Sequence, residues 1–184
     1  MRRFTGLFIG ASFGVVFVLL NSGAPLDLAV SVLLRVLALL TFVGLIAGAV
    51  VISQSDPEPT GGVQMDQFGR GYRVVVAAEI VLLFGGFQVL RLLDAPSQTR
   101  VAWVAFVVGV HFIAFLWVWE QRSILIPGVL LTGYGLAGLI MSSTSAAGWV
   151  PFVSGVLSGV TLLACSLVVI IGQYRGIRRH LIGS

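Results

Sequence analysis

Lysine is absent from the 184 residues, so every fixed cation is an arginine. Cysteine occurs once, as Cys165 inside an apolar run, which excludes an internal disulfide and leaves the redox compartment undetermined. Charge is scarce, at 10% of residues, against about 25% in soluble domains. A water-soluble fold with so little charge cannot cover an apolar content of 58%. Signatures of chemistry are missing as well. There is no phosphate loop of the G-x-x-x-x-G-K-[ST] type, no H-E-x-x-H zinc pair and no G-x-S-x-G nucleophile elbow. Nor is there a pair of D-D-x-x-D acids of the kind that handle diphosphates. No metal and no cofactor is expected.

What is present is a series of apolar runs, each near the roughly 20 residues that a bilayer crossing needs. They cover Phe4 to Leu20, Leu28 to Ile52, Tyr72 to Leu93, Val101 to Trp119, Ile124 to Met141 and Trp149 to Gly172. Ser22-Gly23-Ala24 offers small residues for signal cleavage, but Pro25 follows directly, so the first run is expected to stay as a helix. The long polar stretch, Ser53 to Arg73, carries Pro57, Pro59, Gly61, Gly62, Asp56, Glu58 and Asp66 and reads as a solvated loop. Asp94 to Ser97 reads as a turn, and Glu120 and Arg122 bracket another. The expected fold class is all-α: one transmembrane domain over 1–184, an integral membrane bundle of about six helices.

The net charge of +4 would ordinarily raise nucleic acid as a partner. Here the arginines stand at the ends of apolar runs, as topology signals do, and the expected partner is the lipid bilayer, not nucleic acid. Six crossings put Arg2, Arg3, Arg70, Arg73, Arg122, Arg175, Arg178 and Arg179 on one side. The other side holds Arg91 and Arg100, with Arg35 if it snorkels outward. The positive-inside rule then places both termini in the cytoplasm, in a cytoplasmic (inner) membrane. Trp119 and Trp149 fall where aromatic anchors sit.

Gly6, Gly10 and Gly14 make two overlapping G-x-x-x-G steps, and Gly44 with Gly48 and Gly155 with Gly159 make one each. Such steps let helix backbones approach closely. Gly10, central to both first-span steps, is expected in a seam, either within the bundle or in a homo-oligomer. The fourth span is read as lacking small residues for such packing.

Ionisable residues inside spans are candidates by default, because a charge near mid-bilayer costs about 3 kcal/mol or more. Glu79 lies about two turns into the third span. Tyr72 and Gly86, seven residues to either side, share its face, with room expected beside Gly86. A desolvated carboxyl favours its neutral form and so becomes a proton donor. His111, near the middle of the fourth span, can relay a proton. Either residue can instead be a hydrogen-bond anchor between helices. Gln88, Thr132, Tyr134, Ser154, Ser158 and Thr161 are the other polar groups in spans. Ser and Thr commonly bond back to their own helix, which makes most of these structural.

Tyr72, Glu79, the Val-Val-Gly-x-His-Phe run from Val107 to Phe112 and the glycine-rich fifth span form a pattern over Tyr72 to Gly138. It resembles a loose group of small bacterial multi-span membrane proteins and implies no activity. More distantly the chain is similar to membrane-bound terpene cyclases, which are small, helical and use buried acids to protonate a polyene. That resemblance implies Glu79 as the acid. The leading expectation is a polar site around Glu79, His111 and Tyr72 that binds a lipophilic small molecule. The alternatives are a membrane cyclase or isomerase with Glu79 as general acid, and a proton-coupled carrier or non-catalytic subunit.

The arginine asymmetry makes a direct prediction. Reporter fusions after Gly62, after Gln121 and at Ser184 should read cytoplasmic, and fusions near Gly23, Ser97 and Ala146 external. A cytoplasmic reading at Ala146 with an external one at Ser184 would remove the six-span arrangement.

Overall fold

The computed structural model describes residues 4–55, 69–119 and 124–182, with backbone alone at 119 and 177–182. Asp56, Glu58, Asp66, Glu120, Arg122, Arg2 and Arg3 lie outside the described residues, as do the side chains of Trp119, Arg178, Arg179 and His180. Among the described residues there is no strand; the chain forms α1 (Thr5–Asn21), α2 (Leu28–Ser55), α3 (Arg70–Leu92), α4 (Thr99–Trp119), α5 (Leu125–Met141) and α6 (Leu157–Ile182). An apolar surrounding offers backbone groups no water, so helices, which satisfy them internally, are the expected result. Leu28–Ser55, Arg70–Leu92, Thr99–Val118 and Ala147–Gly176 are long and apolar enough to cross a membrane. Thr5–Asn21 and Leu125–Met141 are apolar and shorter, at 17 residues each.

Helix ends follow local chemistry. The Asp27 carboxylate accepts from the Val30 N–H at 3.0 Å and caps α2. Asp94, at φ 48°, takes the left-handed position that turns α3 into α4, a conformation Asp tolerates. α3 and α4 each begin two residues before the apolar run expected from sequence, because Arg70 and Thr99 continue the helix into polar flanks. The sixth run differs most. It opens with a 3₁₀ turn at Ser145–Trp149, capped by the Thr144 hydroxyl accepting from the Ala146 N–H, then a π-helical turn at Pro151–Val156. Pro151 supplies no N–H to the 3₁₀ turn before it, which separates the two turns, and regular helix starts at Leu157.

The helices alternate in direction. The end of α1, the start of α4 and Pro151 line one common cleft, and Gly71 at the start of α3 lies against Val118 at the end of α4. The bundle thus has a hairpin end, carrying the α1–α2, α3–α4 and α5–α6 turns, and a terminal end. Two cores fill it. Phe4, just before α1, and Ala11, Val15 and Val18 of α1 pack with Leu45, Ala49 and Ile52 of α2 and Leu163 and Ile170 of α6. Phe17, Ala105, Val108, Leu131 and Leu162 join α1, α4, α5 and α6. α3 contributes to neither core, has no buried residue and packs chiefly on α4.

Arg35 reaches back along α2, and its Nη2 donates to the Ser22 carbonyl at 2.9 Å. The cation therefore caps the C-terminus of α1, where it opposes the helix dipole, instead of simply snorkelling to the surface.

Small residues set the closest crossings, though not all where the sequence suggests. A Cβ on Gly14 would meet the Gly159 carbonyl, so α1 and α6 touch backbone to backbone, and Gly48 accommodates Ile170. Gly6, Gly10 and Gly44 have nothing within 4 Å of a built Cβ. Among the described residues Gly10 forms no seam within the chain. The fourth span, read as poor in small residues, makes the tightest contact of all. Gly109 admits the backbone of Thr132, Gly135 the backbone of Phe106, and Gly138 admits Ala102 and Ser154. The fourth span does carry small residues: Ala105 and Gly109 stand four apart, a small-x-x-x-small step that glycine pairs alone do not reveal, and its complement lies on α5.

These contacts predict opposite responses to one added methyl. Gly135→Ala should lower the unfolding temperature in detergent, at a cost of about 1–3 kcal/mol from overpacking. Gly10→Ala should leave it unchanged or raise it, since Ala is the better helix former by roughly 1 kcal/mol. A larger loss from Gly10→Ala would contradict this packing.

Candidate functional site

The site grows out of the α4–α5 crossing. Gly109 faces α5. Two residues further on, about 200° around a helix of 3.6 residues per turn, His111 faces the opposite way, toward α3. On α3 the half-buried positions are Tyr72, Val75, Val76, Glu79, Leu83, Gly86, Phe87 and Leu90, a single stripe at helical spacing. That stripe lies on α4, and Glu79 stands within it.

His111 Nδ1 and Glu79 Oε2 are 2.6 Å apart, with the side chains 14% and 16% exposed. The carboxylate approaches Nδ1 off the line of a good hydrogen bond, and Nδ1 makes no other. The contact is therefore close without being a well-aligned hydrogen bond. Nε2 meets no donor or acceptor among the described residues.

Aromatic rings build the surroundings. The Phe115 ring stands edge-on to His111 with centroids 4.2 Å apart, and Tyr72 stacks parallel on Phe115 at 5.5 Å. Phe115 is buried. Tyr72 thus joins the site through Phe115. On the other side of the pair, the Trp103 indole N–H donates to the Leu82 carbonyl at 3.1 Å. The indole lies directly over Gly86, where any side chain would collide with it. The room expected beside Gly86 is filled by Trp103, because an indole N–H inside a span needs an acceptor and Gly86 lets it reach one.

Three contacts therefore run along the α3–α4 seam in opposite chain order: Gly86 with Trp103, Glu79 with His111, and Tyr72 with Phe115. All three sequence candidates, Glu79, His111 and Tyr72, come together here. Trp103 and Phe115 were not singled out. The signal was the seven-residue repeat of Tyr72, Glu79 and Gly86, which demands three partners on one face of a neighbouring helix.

Other polar groups have local roles. Thr132 bonds back to the Gly128 carbonyl, whereas Ser154 donates across helices to the Tyr134 carbonyl at 2.8 Å. Gln88 is exposed, away from the Glu79 stripe. Among the described residues no three His, Cys, Asp or Glu side chains gather as a metal ion would need.

Comparison with protein families, characterised proteins and solved structures finds no match to this chain. Its chemistry is read from its own geometry. That geometry holds an acid and a base in contact within a helical, apolar surrounding, with one ring nitrogen open.

Proposed function

We propose that this chain crosses the membrane six times and uses Glu79 and His111 as a proton-handling site for a lipophilic small molecule. The single observation that carries the reading is the 2.6 Å contact between the two side chains, on helices long and apolar enough to cross a membrane. Ionisable groups at such positions are costly unless paired or used. α1 and α5, at 17 residues, are about 25 Å long at 1.5 Å per residue, the short end of the spanning range. In this reading the termini face the cytoplasm, with the arginine-rich end.

The molecule approaches sideways from lipid, between α3 and α4, because the pair sits in the seam of the peripheral helix and not in the central cores. Glu79 holds or releases a proton through His111 Nδ1. His111 Nε2 presents the other ring position to a polar atom of the ligand. The Tyr72–Phe115 stack supplies a flat apolar wall. A cyclase or isomerase would use the same relay, but with His111 between Glu79 and the substrate, which weakens the case for Glu79 as the direct acid. A proton-coupled carrier would use the pair as its titrating element.

A second reading has its own support. α3 packs chiefly on α4, so the pair can serve as a polar pin holding α3 in register within a non-catalytic subunit.

Glu79→Gln separates the two. It keeps size and hydrogen-bonding capacity and removes the titratable proton. The variant should insert and unfold at the wild-type temperature. A lipophilic molecule enriched by wild-type protein, identified by mass spectrometry of solvent extracts, should fall at least about tenfold in Glu79→Gln and in His111→Gln, equivalent to about 1.4 kcal/mol. Identical extracts from all three proteins would reject the ligand site, and a lowered unfolding temperature in Glu79→Leu alone would then leave the pin.

A further inference from the structure

At the hairpin end, remote in sequence from Glu79 and His111, an open cleft of about 360 Å³ lies between the end of α1, the start of α4 and the π-helical turn before α6. Leu20, Val101 and Pro151 supply apolar wall; Asn21, Gln98 and Arg100 supply polar groups. No carboxylate lines it. Arg100 is exposed and has no ion-pair or side-chain hydrogen-bond partner among the described residues.

The polar groups divide by sign. Gln98 Oε1 accepts from the Ser97 hydroxyl, which leaves the amide NH₂ as a donor, and Gln98 lines the same cleft as Arg100. Asn21 spends its Nδ2 on the Phe17 carbonyl, which leaves Oδ1 as an acceptor. The first backbone N–H groups of α4 are already taken, by Pro96, Ser97 and Gln98 carbonyls. Charge recognition therefore falls to side chains, not to a helix terminus.

We propose that this cleft holds the headgroup of an anionic phospholipid. A phosphate meets Arg100 and the Gln98 amide, and a headgroup hydroxyl donates to Asn21. The volume fits a headgroup, being near the lower end of small-molecule sites, roughly 300–1,000 Å³. The opening and the apolar wall let acyl chains continue along the exposed helix faces. The level is right too, because three helix ends meet there, where a bilayer changes from hydrocarbon to headgroups. This inference does not depend on the Glu79–His111 reading, only on the chain residing in a membrane.

The test uses delipidated full-length protein in detergent, with phosphatidylglycerol and phosphatidylcholine as probes and bound lipid counted by native mass spectrometry. Wild type should prefer phosphatidylglycerol by about fivefold, the weight of one arginine at a membrane surface. Arg100→Gln should abolish the preference without altering unfolding temperature, since Arg100 supports no internal contact. Arg91→Gln, at the same end but outside the cleft, should retain it. Glycerol 3-phosphate should not displace the lipid. Equal binding of the two lipids by wild type, or equal loss in both variants, would overturn the proposal. Displacement by glycerol 3-phosphate would also overturn it and identify a free-anion site instead.

Discussion

How closely α4 and α5 approach determines the rest of the arrangement. Gly109 and Gly135 let each helix lie against the other's backbone. In an apolar surrounding helices gain nothing from excluding water, so such close packing is what holds them. With α4 set against α5 on one face, its other face is left for α3. His111 and Trp103 are turned outward by helical geometry, and α3 docks on them. The same device recurs where Gly14 of α1 meets Gly159 of α6. That pairing ties the α1–α2–α6 core to the second core, which α4 and α5 share.

The α3–α4 seam differs in kind from the others. Its contacts are an indole on a backbone carbonyl, a carboxylate on an imidazole, and a stack of two rings. Polar contacts of this sort are modest between membrane helices, averaging about 0.6 kcal/mol where measured. A helix attached in that way is easier to displace than one locked by glycine contacts. A site that admits molecules from lipid has use for such a helix, and α3 carries Glu79 on it.

Much of this was legible in the residues. The apolar runs announced the helices, because segments without charge have no other stable form in lipid. Glu79 and His111 stood out because ionisable groups are costly there. The face shared by Tyr72, Glu79 and Gly86 was visible from spacing alone. What spacing within one helix does not reveal is the partner. Gly10 has the G-x-x-x-G motif and no neighbour at its Cβ position among the described residues, whereas Gly109, with only Ala105 four residues before it, meets the backbone of α5. Gly86 suggested space, but a glycine leaves space only if nothing larger fills it, and Trp103 does. The late start of α6 depended on how Pro151 and Thr144 share the preceding turns, a matter of hydrogen-bond geometry and not of hydropathy.

A carboxylate and an imidazole touch across α3 and α4, two helices long and apolar enough to cross a membrane. Solid-state NMR of the full chain in lipid bilayers tests it most directly, through dipolar coupling between the ¹⁵N-labelled His111 Nδ1 and the ¹³C-labelled Glu79 Cδ. A measurable coupling is expected, because Glu79 Cδ is one bond beyond the oxygen that stands 2.6 Å from the nitrogen, and it should disappear in Glu79→Leu. Ordered signals from both residues with no coupling between them would contradict it.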